Sequence, residues 1–162
     1  MVLNLRWRNK KMEDRNIEWS KLQFKTYLEV YLAYNNSQCP TELYLSYLVG
    51  RPMLMAFVCE LGLKTLILLN GKEYTKIHYL NDLFDLISLE NQKEIIQCLE
   101  MEESAFRDIL SKNKNMFVEW RYFTEQKPTP ADTKFIENFI IVIAILLLGE
   151  SYLEKVSSYL NK

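Results

Sequence analysis

The chain has 162 residues, 49% apolar and 25% charged, with a formal net charge of −1 at pH 7. That length suits one domain that buries roughly two-thirds of its unfolded surface, the composition is too apolar for a disordered chain, and the near-zero charge excludes nucleic-acid binding through overall charge, leaving only a local basic patch. Four Gly and four Pro are too few for a sandwich or barrel, which needs turn residues about every 8–12 positions, so the expected class is all-α.

Arg6, Arg8, Lys10 and Lys11 surround Trp7 at the start of the chain, and Met12 is a second candidate start of translation beside Met1. Residues 1–16 are expected to be a basic N-terminal arm, either a frayed, disordered tail or a contact for nucleic acid or a partner; the weak alternation of Val2-Leu3-Asn4-Leu5 leaves a short strand as a third option. Residues 17–162 are expected to form a single helical domain. From Ile17 to about Tyr34, apolar residues at Leu22, Phe24, Tyr27, Leu28, Tyr31 and Leu32 fall at helical spacing. Thr41 is placed to cap a second run through Leu48, and Gly50-Arg51-Pro52 is expected to kink or restart it. The segment from about Pro52 to Leu69 is apolar nearly all round, which predicts the central helix of the domain, and Asn70-Gly71 supplies a left-handed stop. Two short helices follow, one through Leu80, Leu83 and Phe84 and one that Ser88 caps. Phe106, Ile109 and Leu110 predict another, and Asn113 to Asn115 breaks it before Met116 to Glu125. Lys127-Pro128-Thr129-Pro130 reads as a linker, and a final helix is expected from about Ala131 to Tyr159. Its apolar core, Phe139 to Leu148, is well short of the roughly 18–20 residues that a bilayer crossing needs, so a buried helix is predicted and no membrane contact.

Cys39, Cys59 and Cys98 form an odd set without C-x-x-C spacing, and no secretory leader precedes the fold. They are read as reduced thiols in a cytoplasmic protein, with no metal site and no cofactor. The lone His78 rules out an H-E-x-x-H zinc helix and leaves little room for a hydrolase triad. No glycine-rich phosphate loop occurs either. What remains is a set of charged and polar residues in apolar surroundings. Glu60 and Lys64, four apart, project from one face of the central helix, and a buried charge there has to be paired. They are read either as an internal ion pair or an exposed edge, or as a ligand or partner site. His78, where the loop enters the short helix, is read as a cap or a structural hydrogen-bonding group, or else as a general base. Trp120, Arg121 and Tyr122 suit stacking on a base or gripping a phosphate. They suit a core corner equally, with Arg121 bonded to Glu125 or Glu60.

Ala56-Phe57-Val58-Cys59-Glu60-Leu61-Gly62-Leu63-Lys64-Thr65-Leu66, then Gly71, His78-Tyr79-Leu80 and Leu83-Phe84, resemble the Glu-x-x-x-Lys helix, Gly loop and His-x-Leu helix start of the HEPN superfamily. Phe117 to Glu125 is similar to a Trp-Arg-Tyr signature in one bacterial branch. The resemblance runs from Tyr44 to about Leu148. It implies an up-and-down helical bundle, of about five to seven helices here, that pairs as a homodimer through long helices. It also implies a role among ribonuclease toxins, phage-defence proteins, or toxin–antitoxin partners of small nucleotidyltransferases. Ribonuclease members carry Arg, four to six residues, then His on a late helix. Here the only His is His78; Lys72 stands at that spacing before it, in a loop, and Lys does not reproduce the planar guanidinium fork on a phosphate. The expectation is therefore a non-catalytic binding module for RNA, a nucleotide or a protein partner. The alternatives are a divergent, metal-independent ribonuclease with its site built from His78, Arg121 and Glu125, and a purely structural dimerising subunit.

Overall fold

The computed structural model describes residues 2–36, 44–74, 76–122, 125 and 130–160. They form an all-α, up-and-down helical bundle with no strand among them. In chain order the helices are α1 (Val2–Asn36), α2 (Tyr44–Leu69), α3 (Leu80–Leu86), α4 (Leu89–Cys98), α5 (Glu103–Lys112), α6 (Met116–Arg121), α7 (Thr133–Leu148) and α8 (Glu150–Leu160). The backbone of residues 2–16 continues α1 as helix, so the segment read as a separate arm or a short strand is the beginning of the first helix. Among its described side chains Phe24, Leu28 and Tyr31 are fully buried, at i, i+4 and i+7, the spacing of one helical stripe.

The apolar helix α2 lies at the centre and packs against α1, α3, α6 and α7. Of the kink or restart expected at Gly50-Arg51-Pro52, the restart does not occur: one helix runs through Pro52. Proline costs a helix interior one hydrogen bond and a steric clash, and here burial of Met55, Ala56, Val58, Cys59, Leu63 and Ile67 along the same helix outweighs that cost. Tyr47–Leu69 is long and apolar enough to cross a bilayer, and 67% of that window is buried inside the bundle, as befits a core helix.

A close crossing lies at Gly62. A methyl group built there would meet Ile143 of α7 at 2.5 Å and the Phe24 ring of α1 at 2.9 Å, so three helices converge where α2 has no side chain. The predicted stops hold. Asn70 and Gly71 end α2, with Gly71 at φ 65°, and Ser88 Oγ accepts from the Asn91 N–H at 3.1 Å to start α4. Asn113 both ends α5 and ties it to α7: its amide donates to the Ile109 carbonyl at 2.8 Å, and its Oδ1 accepts the Asp132 N–H at 2.9 Å. Asp132 in turn caps α7 through the Phe135 N–H. The single final helix expected from about Ala131 to Tyr159 is instead two. Gly149, at φ 83° and ψ 157°, breaks it, and α7 and α8 diverge by 117°. The expected cap at Thr41 and most of the proline linker, residues 127–129, lie outside the described residues.

Candidate functional site

Glu60 sits midway along the central helix with only 3% of its surface exposed. Its Oε1 accepts two hydrogen bonds, from Lys64 Nζ at 2.6 Å, one turn along α2, and from His78 Nδ1 at 3.0 Å, in the loop before α3. An ionised carboxylate only accepts, so Nδ1 is the protonated ring nitrogen in this contact. Its Oε2 is buried without a hydrogen-bond partner among the described residues. The internal ion-pair reading of Glu60 and Lys64 holds: they form a buried pair, and that pair also anchors the only histidine. His78 does not cap α3, whose N-cap, Tyr79, makes no side-chain bond. Its ring turns towards α2, because the buried carboxylate is a stronger acceptor than any carbonyl at the helix start.

Burial drives this pairing. Lys64 keeps 12% of its side chain exposed and Glu60 almost none, whereas His78 is about half exposed. Two cations around one carboxylate leave the cluster electrostatically positive on its open side when His78 is protonated. Tyr74 lies beneath the ammonium, with Lys64 Nζ 5.1 Å from the ring centroid, a distance at which the ring face attracts a cation. Cys59, next along α2, is fully buried, and burial followed by the charge of Glu60 pushes its thiol far above the usual range. A thiol held protonated in this way is no nucleophile.

Aromatic rings extend from this cluster across three helices. Tyr27 of α1 meets Phe57 of α2 edge to face at 4.8 Å, and Phe57 stacks on Phe117 of α6 at 5.3 Å. Phe117 then carries Arg121 on its face, the guanidinium carbon 5.2 Å from the centroid, and the His78 ring lies 6.4 Å away. Arg121 also lies over the Tyr122 ring at 4.5 Å and donates from Nη2 to its hydroxyl at 2.7 Å. Both residues are exposed. The expected bond from Arg121 to Glu125 or Glu60 is absent among the described residues. Arg121 stands one turn after Phe117 on α6, so the ring captures it locally, and Glu60 is already occupied. Trp120 is partly buried and packs against the core, with Nε1 buried and unpartnered among the described residues.

The structure therefore brings Glu60, Lys64, His78, Arg121 and Tyr122 to one face and packs Trp120 against the core. Glu125 contributes a backbone bond to the Tyr122 carbonyl and no side-chain bond among the described residues. Sequence reasoning passed over Phe57, Phe117, Tyr27 and Tyr74, which make the platform. The signal was available in part: Phe57 lies three residues before Glu60 and Phe117 four before Arg121, each on the same helical face as its charged neighbour. No group of three or more His, Cys, Asp or Glu able to hold a metal ion occurs among the described residues. Comparison of the chain with family models, with curated proteins and with solved structures finds no match in any of the three.

Proposed function

We propose that the chain is a HEPN-like, non-catalytic binding module that contacts RNA, or a nucleotide, through the Arg121 face, as a cytoplasmic homodimer in a phage-defence or toxin–antitoxin setting. The observation that supports this reading is the double occupancy of Glu60 Oε1. Lys64 and His78 both bond that single oxygen, so each is held by an internal partner in place of a substrate. The Arg121 side chain bonds only the hydroxyl of its chain neighbour Tyr122 among the described residues. It lies exposed over two aromatic rings, presenting a guanidinium suited to phosphate beside faces suited to bases. The resemblance to HEPN proteins supplies the setting, the homodimer and a small nucleotidyltransferase as the partner.

The test is incubation of the purified protein with single-stranded RNA, following both retention and integrity. The wild type is expected to bind without cleaving, and Arg121→Ala is expected to weaken binding about tenfold, the loss of one charge-assisted contact. RNA degradation that Arg121→Ala abolishes would sink the reading. It would favour the divergent ribonuclease, whose supporting observation is that His78 and Arg121 approach the same Phe117 ring.

A further inference from the structure

Beyond the Arg121 face, a groove of about 600 Å³ opens between α1 and the loop after α2, lined by Asn16, Trp19, Ser20, Gln23, Tyr27 and Tyr74 among others. Asn16, Trp19, Gln23 and Tyr27 succeed one another at three- and four-residue steps, so they form one stripe of α1. Trp19 is 68% exposed, far more than a packing residue needs. The aliphatic hydroxyls of the groove, Ser20 and Thr26, are committed inward. Thr65 donates to the Leu61 carbonyl, so Ser20 is the donor in its 2.7 Å bond to Thr65, and Thr26 donates to the Leu22 carbonyl. The Asn16 and Gln23 amides bond nothing among the described residues. Among the described residues no charged side chain lines the groove, and the Lys64 ammonium lies against Tyr74 and is held by Glu60.

We infer that this groove is a second subsite, one that receives an unpaired nucleobase of a single-stranded RNA whose phosphates engage Arg121. The proposal rests on the RNA-binding reading above and deepens it. A side-chain amide offers a donor and an acceptor side by side, the complement of the donor–acceptor edge of a base, and an exposed indole offers the stacking face. The uncharged lining among the described residues matches a neutral ring and not a phosphate. The groove is also continuous with the Arg121 face, because Tyr27, which lines it, meets Phe57, which stacks on the Phe117 ring beneath Arg121. A single strand supplies both parts, neutral rings and anions on one backbone. A duplex does not, since its base faces are already stacked.

The test uses the full chain and a fluorescently labelled ten-nucleotide oligoadenylate, read by anisotropy over a range of salt and against the same sequence in a duplex. Trp19→Ala is expected to weaken single-strand binding roughly 5- to 150-fold, with the salt slope unchanged because no phosphate contact is lost. Arg121→Ala is expected to reduce that slope by about one. Gln23→Ala is expected to weaken binding of oligoadenylate more than of oligouridylate, and the duplex to bind less well than the single strand. Circular dichroism establishes that each variant is folded. If Arg121→Ala weakens binding and Trp19→Ala does not, the subsite is overturned and the binding reading stands. If the wild type binds no RNA, both fall. If Trp19→Ala instead converts a dimer into a monomer by light scattering, the groove is an interface between copies and the subsite is overturned.

Discussion

Glu60 is a buried carboxylate that holds two basic side chains on one oxygen. Replacing it with Ala leaves the Lys64 ammonium mostly buried without its partner, and removing one member of a buried pair costs about 3–5 kcal/mol. Urea denaturation is expected to register a loss of about that size for Glu60→Ala, and a much smaller one when Lys64→Met is combined with Glu60→Met, since an apolar pair leaves no bare charge. Equal losses in the single and double variants would contradict this account. His78→Ala should leave stability within about 1 kcal/mol, because that ring is about half exposed and solvent already screens its bond. A second residue-scale prediction concerns Gly62. The methyl of Gly62→Ala enters space held by Ile143 and Phe24, and overpacking of this kind costs about 1–3 kcal/mol. A melting temperature equal to that of the wild type would show that α7 can yield there.

At the scale of elements, helix identity follows from local pattern, and helix length does not. The stripe through Phe24, Leu28 and Tyr31 and the stops at Gly71 and Ser88 are legible because each depends on neighbours within a turn or two. The unbroken course of α2 through Pro52 is not legible, because it depends on burial against other helices. The break at Gly149 was open to sequence reading and was missed: the apolar run on either side masked a glycine whose φ of 83° and ψ of 157° lie where side chains are rarely found. Gly149→Ala is therefore expected to destabilise the protein by about 1–3 kcal/mol. It should also shift α7 and α8 towards one continuous helix, seen as a gain in helical ellipticity. An unchanged denaturation midpoint would refute the strain.

The whole molecule ties its parts by polar contacts that set its response to pH. Tyr31 of α1 donates to Glu137 of α7 at 3.0 Å, and Asn35 and Arg51 complete that network. Tyr152 of α8 donates to Glu29 of α1 at 2.6 Å. Burial, then the charge and hydrogen bond of Glu137, push the Tyr31 phenol well above its ordinary 10.0. Burial and the bond to Glu29 do the same for Tyr152, and burial raises the Cys59 thiol above its ordinary 9.0. In each case the folded chain holds a proton that the unfolded chain releases. Their stabilisation is thus fully present below about pH 9 and declines as pH rises past 9 for the thiol and 10 for the phenols. Denaturant midpoints at pH 8 and pH 10.5 check the sign: the higher pH should give the lower midpoint, with Tyr31→Phe and Cys59→Ala together flattening the difference.

The amino-acid sequence by itself determined the all-α class, the central position of the Pro52–Leu69 segment, the stops of α2 and α5, and the need for Glu60 to find a partner. All of these follow from residue type and spacing within about one helical turn, where geometry is fixed by the backbone. Only the tertiary structure decided that His78 would join Lys64 on one carboxylate oxygen, that Arg121 would settle on Phe117 while Trp120 packed against the core, and that Tyr27 would link the α1 groove to that face. Those contacts join residues far apart in the chain, and which of several acceptors or rings a side chain reaches depends on how α1, α2 and α6 cross. Local spacing carries no term for that crossing.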